Sequence, residues 1–413
     1  MEANVTGRQY FVLILILGLM TALGPFSIDM YLSGYQAIAA DMHTTSASIG
    51  LSLASYFIGI SAGQLLYGPL LDRFGRKKPL YIGLVVYILA SLGCIAAHTL
   101  GAFVVVRFIQ AIGSCAATVA SVAMVRDLFP IKDSAKVFAL LMLVVGASPM
   151  IAPTVGGYVT VAWGWQSVFI ILTLLGAMVL AACIFFLPES HQPDPSISLK
   201  PGPIINGFLE VIREPQFATY ALTGAWAFAG LFVYVSASPV IFIDIFHVSK
   251  ETFGWIFAGL SVGFIGSNQL NSLVLRKYRS DQIIGPALLG QAIAGAIFFI
   301  GTYYGWFGIT GTIIMLFLYL SGLGFAYPNA AALSIAPFKR NAGSAAALMG
   351  ALQMGIGGLA STFSSLLSKD NPMPMVTIMA GCAILSCVIL AGGRTRITNP
   401  VLLQDGGDAV VVH

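Results

Sequence analysis

Two ionisable residues stand alone inside long apolar stretches: Asp29 in Ser27-Ile28-Asp29-Met30-Tyr31-Leu32, and Arg107 in Val106-Arg107-Phe108-Ile109-Gln110. A carboxyl in hydrocarbon costs several kcal/mol when ionised and unpaired, which suits it to carrying a proton. Helical rise places Asp29 roughly 16 Å, and Arg107 roughly 10 Å, from the outer ends of their stretches. At such compatible depths each is expected to relieve the other's isolation. The pair reads as proton-coupling machinery or as an ion pair holding two helices together. Buried pairs stabilise only weakly, which favours the functional reading.

A second constellation is Gly68-Pro69-Leu70-Leu71-Asp72-Arg73-Phe74-Gly75-Arg76-Lys77-Lys78, a charged turn between two apolar stretches. Asp72 and Arg76 lie one helical turn apart, and Gly68 removes bulk where another helix can approach. An acid here also suits a neighbouring helix N-terminus. Lys77 and Lys78 read as topological anchors, whereas Gly68, Asp72 and Arg76 read as a gate. A third constellation runs from Gly146 to Gly157. Its Pro149 and Pro153 free backbone carbonyls, and Gly146, Gly156 and Gly157 permit close helix contact. Gly322-Leu323-Gly324 and Tyr327-Pro328-Asn329 make a similar break. Tyr234, Asn268, Asn271, Asn329 and Gln353 either line a cavity or bond between helices, and Met30, Tyr31 and Gln110 beside the two charges are further cavity candidates. Gly59-Ile60-Ser61-Ala62-Gly63 and Gly259-Leu260-Ser261-Val262-Gly263 match a hydrolase nucleophile elbow, but a helical context makes them packing faces.

The elements that must position these residues follow from composition. Of 413 residues, 58% are hydrophobic and 9% charged, against about 25% charged in a soluble domain. Apolar runs of about 20 residues imply helices crossing a bilayer. Twelve are expected: 10–40, 46–71, 79–97, 100–125, 137–158, 166–187, 216–242, 253–275, 285–304, 309–332, 342–367 and 373–392. No barrel-like alternation competes with them. The net charge of +4 is no nucleic-acid signal. Of the 20 Lys and Arg, only Lys250 and Lys369 fall on one side and Arg107 inside a span. The rest share the other side, which places both termini in the cytoplasm. The first span is too long, and carries an acid, for a signal peptide, so it is expected to remain in the mature chain. The five cysteines lie in spans and read as packing residues, and the histidines lack ligand spacing, so no metal is expected.

The loop at 188–215 divides the chain into an N-terminal six-helix bundle (1–187) and a C-terminal one (216–393), followed by a cytoplasmic tail (394–413). Within it, Ile204, Ile205, Phe208, Val211 and Ile212 recur at helical spacing, predicting a short surface helix. A 200-residue shift aligns Phe57, Gly59, Ser61, Gly63, Leu70, Arg76 and Lys77 with identical residues at 257, 259, 261, 263, 270, 276 and 277. Two related halves point to a transporter with a central site. Asp72 aligns with Ser272, so the latch acid belongs to the first half alone.

These residues resemble the major facilitator superfamily over essentially the whole chain. Gly68 to Lys78 is similar to its loop 2–3 signature. Arg107, Gln110 and Gly113 resemble its fourth-span motif, and Pro153, Gly156 and Gly157 the fifth-span motif of drug–proton antiporters, with Ala152 where that motif has Gly. Ile28-Asp29-Met30-Tyr31-Leu32, Gln64-Leu65-Leu66-Tyr67-Gly68-Pro69 and Ala147 to Pro153 resemble the bicyclomycin/chloramphenicol resistance (Bcr/CflA) efflux group, as does Ala342-Gly343-Ser344-Ala345-Ala346 with Gln353. Ser33-Gly34 stands where that group has Pro-Ala. The resemblance implies a monomeric, cofactor-free exporter of small amphipathic compounds in the bacterial inner membrane, driven by proton entry. It also implies that Asp72 caps the start of span eleven near Gly343 and Ser344 in the outward-open state, with Arg73 and Asp127 completing a charge relay, and that spans one, four, seven and ten line the cavity. Proton symport of a nutrient, or export of an endogenous metabolite, uses the same parts. A membrane-embedded enzyme would need a nucleophile–base or metal cluster, which two lone charges do not supply.

Overall fold

In hydrocarbon every backbone polar group must be satisfied internally, and each long apolar run folds as a helix. The computed structural model describes residues 7–129, 131–196, 199–338, 342–367, 371–398, 401–403 and 409–411. In the first half the helices are α1 (Gly7–Asp29), α2 (Tyr35–Asp41), α3 (Ser46–Phe74), α4 (Lys77–Ile95), α5 (Leu100–Leu128), α6 (Ile131–Trp163) and α7 (Gln166–Phe186). After a linker helix, α8 (Pro201–Arg213), come α9 (Pro215–Pro239), α10 (Lys250–Val274), α11 (Ser280–Tyr303), α12 (Ile309–Ile335), α13 (Ala342–Leu367) and α14 (Met373–Arg394). Two short strands, β1 (Val401–Leu403) and β2 (Ala409–Val411), pair antiparallel in the tail.

Eleven of these segments are long and apolar enough to cross a membrane among the described residues. The twelfth expected span is α10, a 25-residue helix whose second half carries Ser267, Asn268, Gln269, Asn271 and Ser272. Those side chains lower its hydropathy while α10 still packs along α6 and α12. Lys339, Arg340 and Lys369, counted in the charge asymmetry, lie outside the described residues.

Span one departs from the continuous helix expected. It breaks directly after Asp29, passes through a 3₁₀ turn at Leu32–Gly34, and resumes as α2. Span seven ends in a π turn, Val240–Ile245. The repeat also has a different register. Thr45 and Ser249 cap α3 and α10 through Ser48 and Thr252 amides, and just before them His43 and His247 share positive φ, 51° and 54°. Gly59 packs on α5 at Phe108, and Gly263 on α12 at Phe317. Each equivalence lies one helical turn beyond the 200-residue shift, so Asp72 corresponds to Arg276 rather than Ser272.

Candidate functional site

Arg107 sits on α5 with no exposed surface. Its Nη1 donates to Gln110 Oε1 (2.5 Å), and its Nη2 to the Ser27 carbonyl of α1 (2.8 Å). The guanidinium lies 4.2 Å from the Tyr31 ring centroid and 4.3 Å from that of Tyr56, so two aromatic faces carry much of its charge stabilisation. Nε has no partner among the described residues. Gln110 passes the network on to Ser91 (2.7 Å), and Ser27 Oγ meets Tyr87 Oη (2.8 Å).

The expected Asp29–Arg107 pair is not formed. The three ion pairs among the described residues are Arg76–Asp72, Arg76–Asp127 and Arg279–Asp281. Asp29 is 4% exposed, and its carboxyl has no hydrogen-bond partner among the described residues. The physical reason is the break in α1. There the Ser27 carbonyl, two residues before Asp29, takes the guanidinium, while Tyr234 of α9 lies within electrostatic reach of the Asp29 carboxyl. Tyr234 stacks on Phe257 at 5.4 Å between centroids, and its hydroxyl has no partner among the described residues.

The glycine-rich end of α6 packs against this break. A Cβ on Gly156 would collide with the Met30 carbonyl, and one on Gly157 would come 2.8 Å from the Lys250 carbonyl at the start of α10. The Pro153 carbonyl accepts a hydrogen bond from Ser33 Oγ (3.2 Å). Gly146 faces Ile265 of α10, and Pro149 lies inside α6 between them.

In the loop 2–3 cluster, Arg76 rather than Arg73 links the two carboxylates, Asp72 at 2.6 Å and Asp127 at 2.8 Å. Burial alone would lower the Arg76 guanidinium, but the hydrogen bonds with Asp127 and Asp72 outweigh it and hold its affinity for the proton above the ordinary arginine value. Arg73 lies against Phe74. Asp72 pairs with Arg76 in this arrangement, and among the described residues neither Gly68 nor Gly343 has anything within 4 Å of a Cβ. Glu189 is a residue that sequence reasoning missed. Its carboxylate accepts from the amides of Arg76 (2.8 Å) and Lys77 (3.1 Å), which begin α4, while Ser190 Oγ bonds Asp127 (2.9 Å). Gly75 turns the chain at φ 82°, and a Cβ there would lie 3.1 Å from the Glu189 carboxylate. The only available signal was an acid two residues past the end of an apolar span.

The cavity candidates divide. Met30, Tyr31 and Gln110 are buried within the first half, Tyr31 bonding Ser52 (3.0 Å). Asn329 donates to Asn271 (2.8 Å) between α10 and α12, a helix–helix contact. Gln353 accepts from Tyr327 (2.6 Å), and its amide nitrogen, like the Tyr234 hydroxyl, has no bond among the described residues.

Residues 17–362 match the family model described as Major Facilitator Superfamily. The chain is 30% identical over 388 residues to the bicyclomycin resistance protein homolog of Haemophilus influenzae, covering 92% of this chain and 95% of that one. It is 28% identical over 386 residues to a chloramphenicol resistance protein of Pseudomonas aeruginosa, covering 91% and 88%. Its fold superposes on the crystal structure of a D-xylose–proton symporter with TM-score 0.73 and 17% identity, covering 92% and 97%. With its helical spans, its two-half repeat and these likenesses, the chain belongs to the Major Facilitator Superfamily, and is a multi-pass membrane transporter rather than an enzyme.

Proposed function

We propose that this transporter exports small amphipathic compounds, antibiotics among them, from the bacterial cytoplasm across the inner membrane in exchange for protons. The observation that carries this reading is Asp29, a carboxyl at the break of span one with neither an ion pair nor a hydrogen bond among the described residues. A buried, uncompensated carboxyl changes the local field strongly when it gains or loses a proton, so proton and substrate can exclude one another there. Arg107, fixed to the Ser27 carbonyl, sets the field and the backbone position beside it. Gly156 and Gly157 let α6 follow the break, and the Asp72–Arg76–Asp127 cluster gates the cytoplasmic end. No cofactor enters, since the proton gradient supplies the drive. The names of the bicyclomycin and chloramphenicol resistance relatives support the drug class.

The test uses proteoliposomes with an imposed pH gradient and labelled chloramphenicol. Wild type is expected to move the compound against its gradient, and Asp29→Asn to lose that coupling while unfolding at an unchanged temperature. Full pH-driven movement by Asp29→Asn would sink the assignment. Movement of compound in the same direction as the protons would replace export by symport.

A further inference from the structure

One glutamine at the cytoplasmic end of the second half behaves as a strand neighbour would. Gln216, in the first turn of α9, is 1% exposed. Its Nε2 donates to the Val401 carbonyl (2.8 Å), and its Oε1 accepts from the Val401 amide (2.8 Å). A paired strand offers the same donor and acceptor to one residue of an extended chain. Nε2 also donates to the Leu333 carbonyl near the end of α12 (2.9 Å). Pro337 stands four residues after Leu333 and has no N–H, so helical bonding leaves that carbonyl free for a side chain. Val401 opens β1, where it lies opposite Val411 of β2. The N–H and C=O of a strand residue face the same edge, so β2 covers one edge of β1 and Gln216 caps the other at Val401. A second anchor lies just past α14. There Ile397 packs, half-buried, against the apolar cluster that contains Tyr220, Leu333 and Leu390. The tail therefore touches α9, α12 and α14 at their cytoplasmic ends, which belong to spans seven, ten and twelve.

We propose that Gln216 and the apolar cluster beside it form a docking surface for an extended polypeptide segment, and that its partner is this chain's own tail. The surface reads backbone rather than side chain, because every bond that Gln216 makes runs to a main-chain atom. A residue with a free N–H in extended conformation fits it, and proline does not. Undocking leaves a donor and an acceptor of Gln216 unmatched in a buried place, which is costly. The short hairpin needs the contact in turn, since two strands alone are marginal in water. Because the same Nε2 holds Leu333, docking also fastens the cytoplasmic ends of spans seven and ten to one another, so that they travel together when the halves rock. Neither the substrate nor the direction of transport enters into this contact.

The measurement is hydrogen–deuterium exchange of the full chain in lipid nanodiscs, read at the amides of 402–403 and in the last turn of α12. In wild type the tail amides are expected to exchange at least about tenfold more slowly than in a free peptide of residues 397–413. Val401→Pro removes the N–H that Gln216 accepts, and should speed their exchange roughly five- to tenfold. Val401→Ala keeps both backbone groups and should stay within about twofold of wild type. Gln216→Met keeps the length of the side chain and loses its bonds. It should release the tail and also speed exchange at 334–336 roughly threefold. Val401 lies beyond the last span, so the Pro and Ala variants test docking even where Gln216→Met lowers the unfolding temperature. Tail amides that exchange in wild type as fast as in the free peptide, or equally in the Pro and Ala variants, overturn the proposal. Unchanged exchange at 334–336 in Gln216→Met overturns the fastening of spans seven and ten.

Discussion

Arg107 is a buried cation held by neutral groups, and its geometry predicts that lysine will not replace it. The guanidinium reaches Gln110 Oε1 and the Ser27 carbonyl together while presenting flat faces to Tyr31 and Tyr56. A lysine ammonium is a compact point charge that cannot make the fork and the double stack at once. Arg107→Lys is expected to cost about 2–4 kcal/mol of stability and to abolish coupled transport, read as a lower unfolding temperature and loss of pH-driven efflux. Tyr56→Phe keeps the ring and loses the hydroxyl contact to Ser114 (2.7 Å). Its cost is about 1 kcal/mol, with efflux retained. If Arg107→Lys transports like wild type, the guanidinium is not what positions α1. Both lone charges were legible in the sequence, because ionisable residues in apolar runs are rare. Their mutual avoidance was not, because Ser27, Tyr31 and Tyr56 come from two other spans and no spacing along the chain reports their approach.

At the scale of elements, the contact between α6 and the break in span one carries the sharpest requirement. Gly156 lies so close to the Met30 carbonyl that even a methyl group cannot be added without moving one helix. Gly156→Ala is therefore expected to cost about 1–3 kcal/mol and to depress transport more than Gly146→Ala, whose nearest neighbour is the compliant Ile265 side chain at 3.8 Å. A parallel efflux assay of the two variants decides it, and equal activity would remove the helix contact from the mechanism. The helices were readable from apolar runs, since hydrocarbon leaves the backbone no alternative. The break after Asp29 was not, because Pro25 lies four residues before it and the determining partners, Arg107 and Gly156, are distant in sequence. The repeat was visible but set one turn short, because identities in glycine-rich windows recur every turn. The Thr45 and Ser249 caps fix the true register. The loop 2–3 cluster was recognised, yet its cap was hidden at Glu189, more than a hundred residues away.

For the whole molecule, the polar contacts between halves among the described residues gather at the end opposite the basic loops, which the positive-inside rule makes periplasmic. There Gln36 Nε2 donates to Asp244 Oδ1 (2.6 Å), Ser236 reaches the Gly50 carbonyl (3.5 Å), and Gly157 meets the start of α10. Deeper in, Ser61 Oγ bonds the Ala351 carbonyl between α3 and α13 (2.7 Å). At the basic end Gly68 and Gly343 have no neighbour within 4 Å of a Cβ among the described residues, and Asp72 is turned onto Arg76. The arrangement is thus closed towards the periplasm, and opening on that side must break the Gln36–Asp244 bond. A hydrogen bond to a carboxylate at an exposed site contributes about 1 kcal/mol, enough to shift a two-state population roughly fivefold. Gln36→Ala and Asp244→Ala should each move the equilibrium towards the outward-open state, and the double variant no further than either alone, since both remove one bond. Spin-label distances between α2 and the segment following α9 measure this directly. A wider separation in all three variants by the same amount is the expected result. Unchanged distances would mean that packing of α6 on α10, rather than this polar contact, holds the periplasmic side shut.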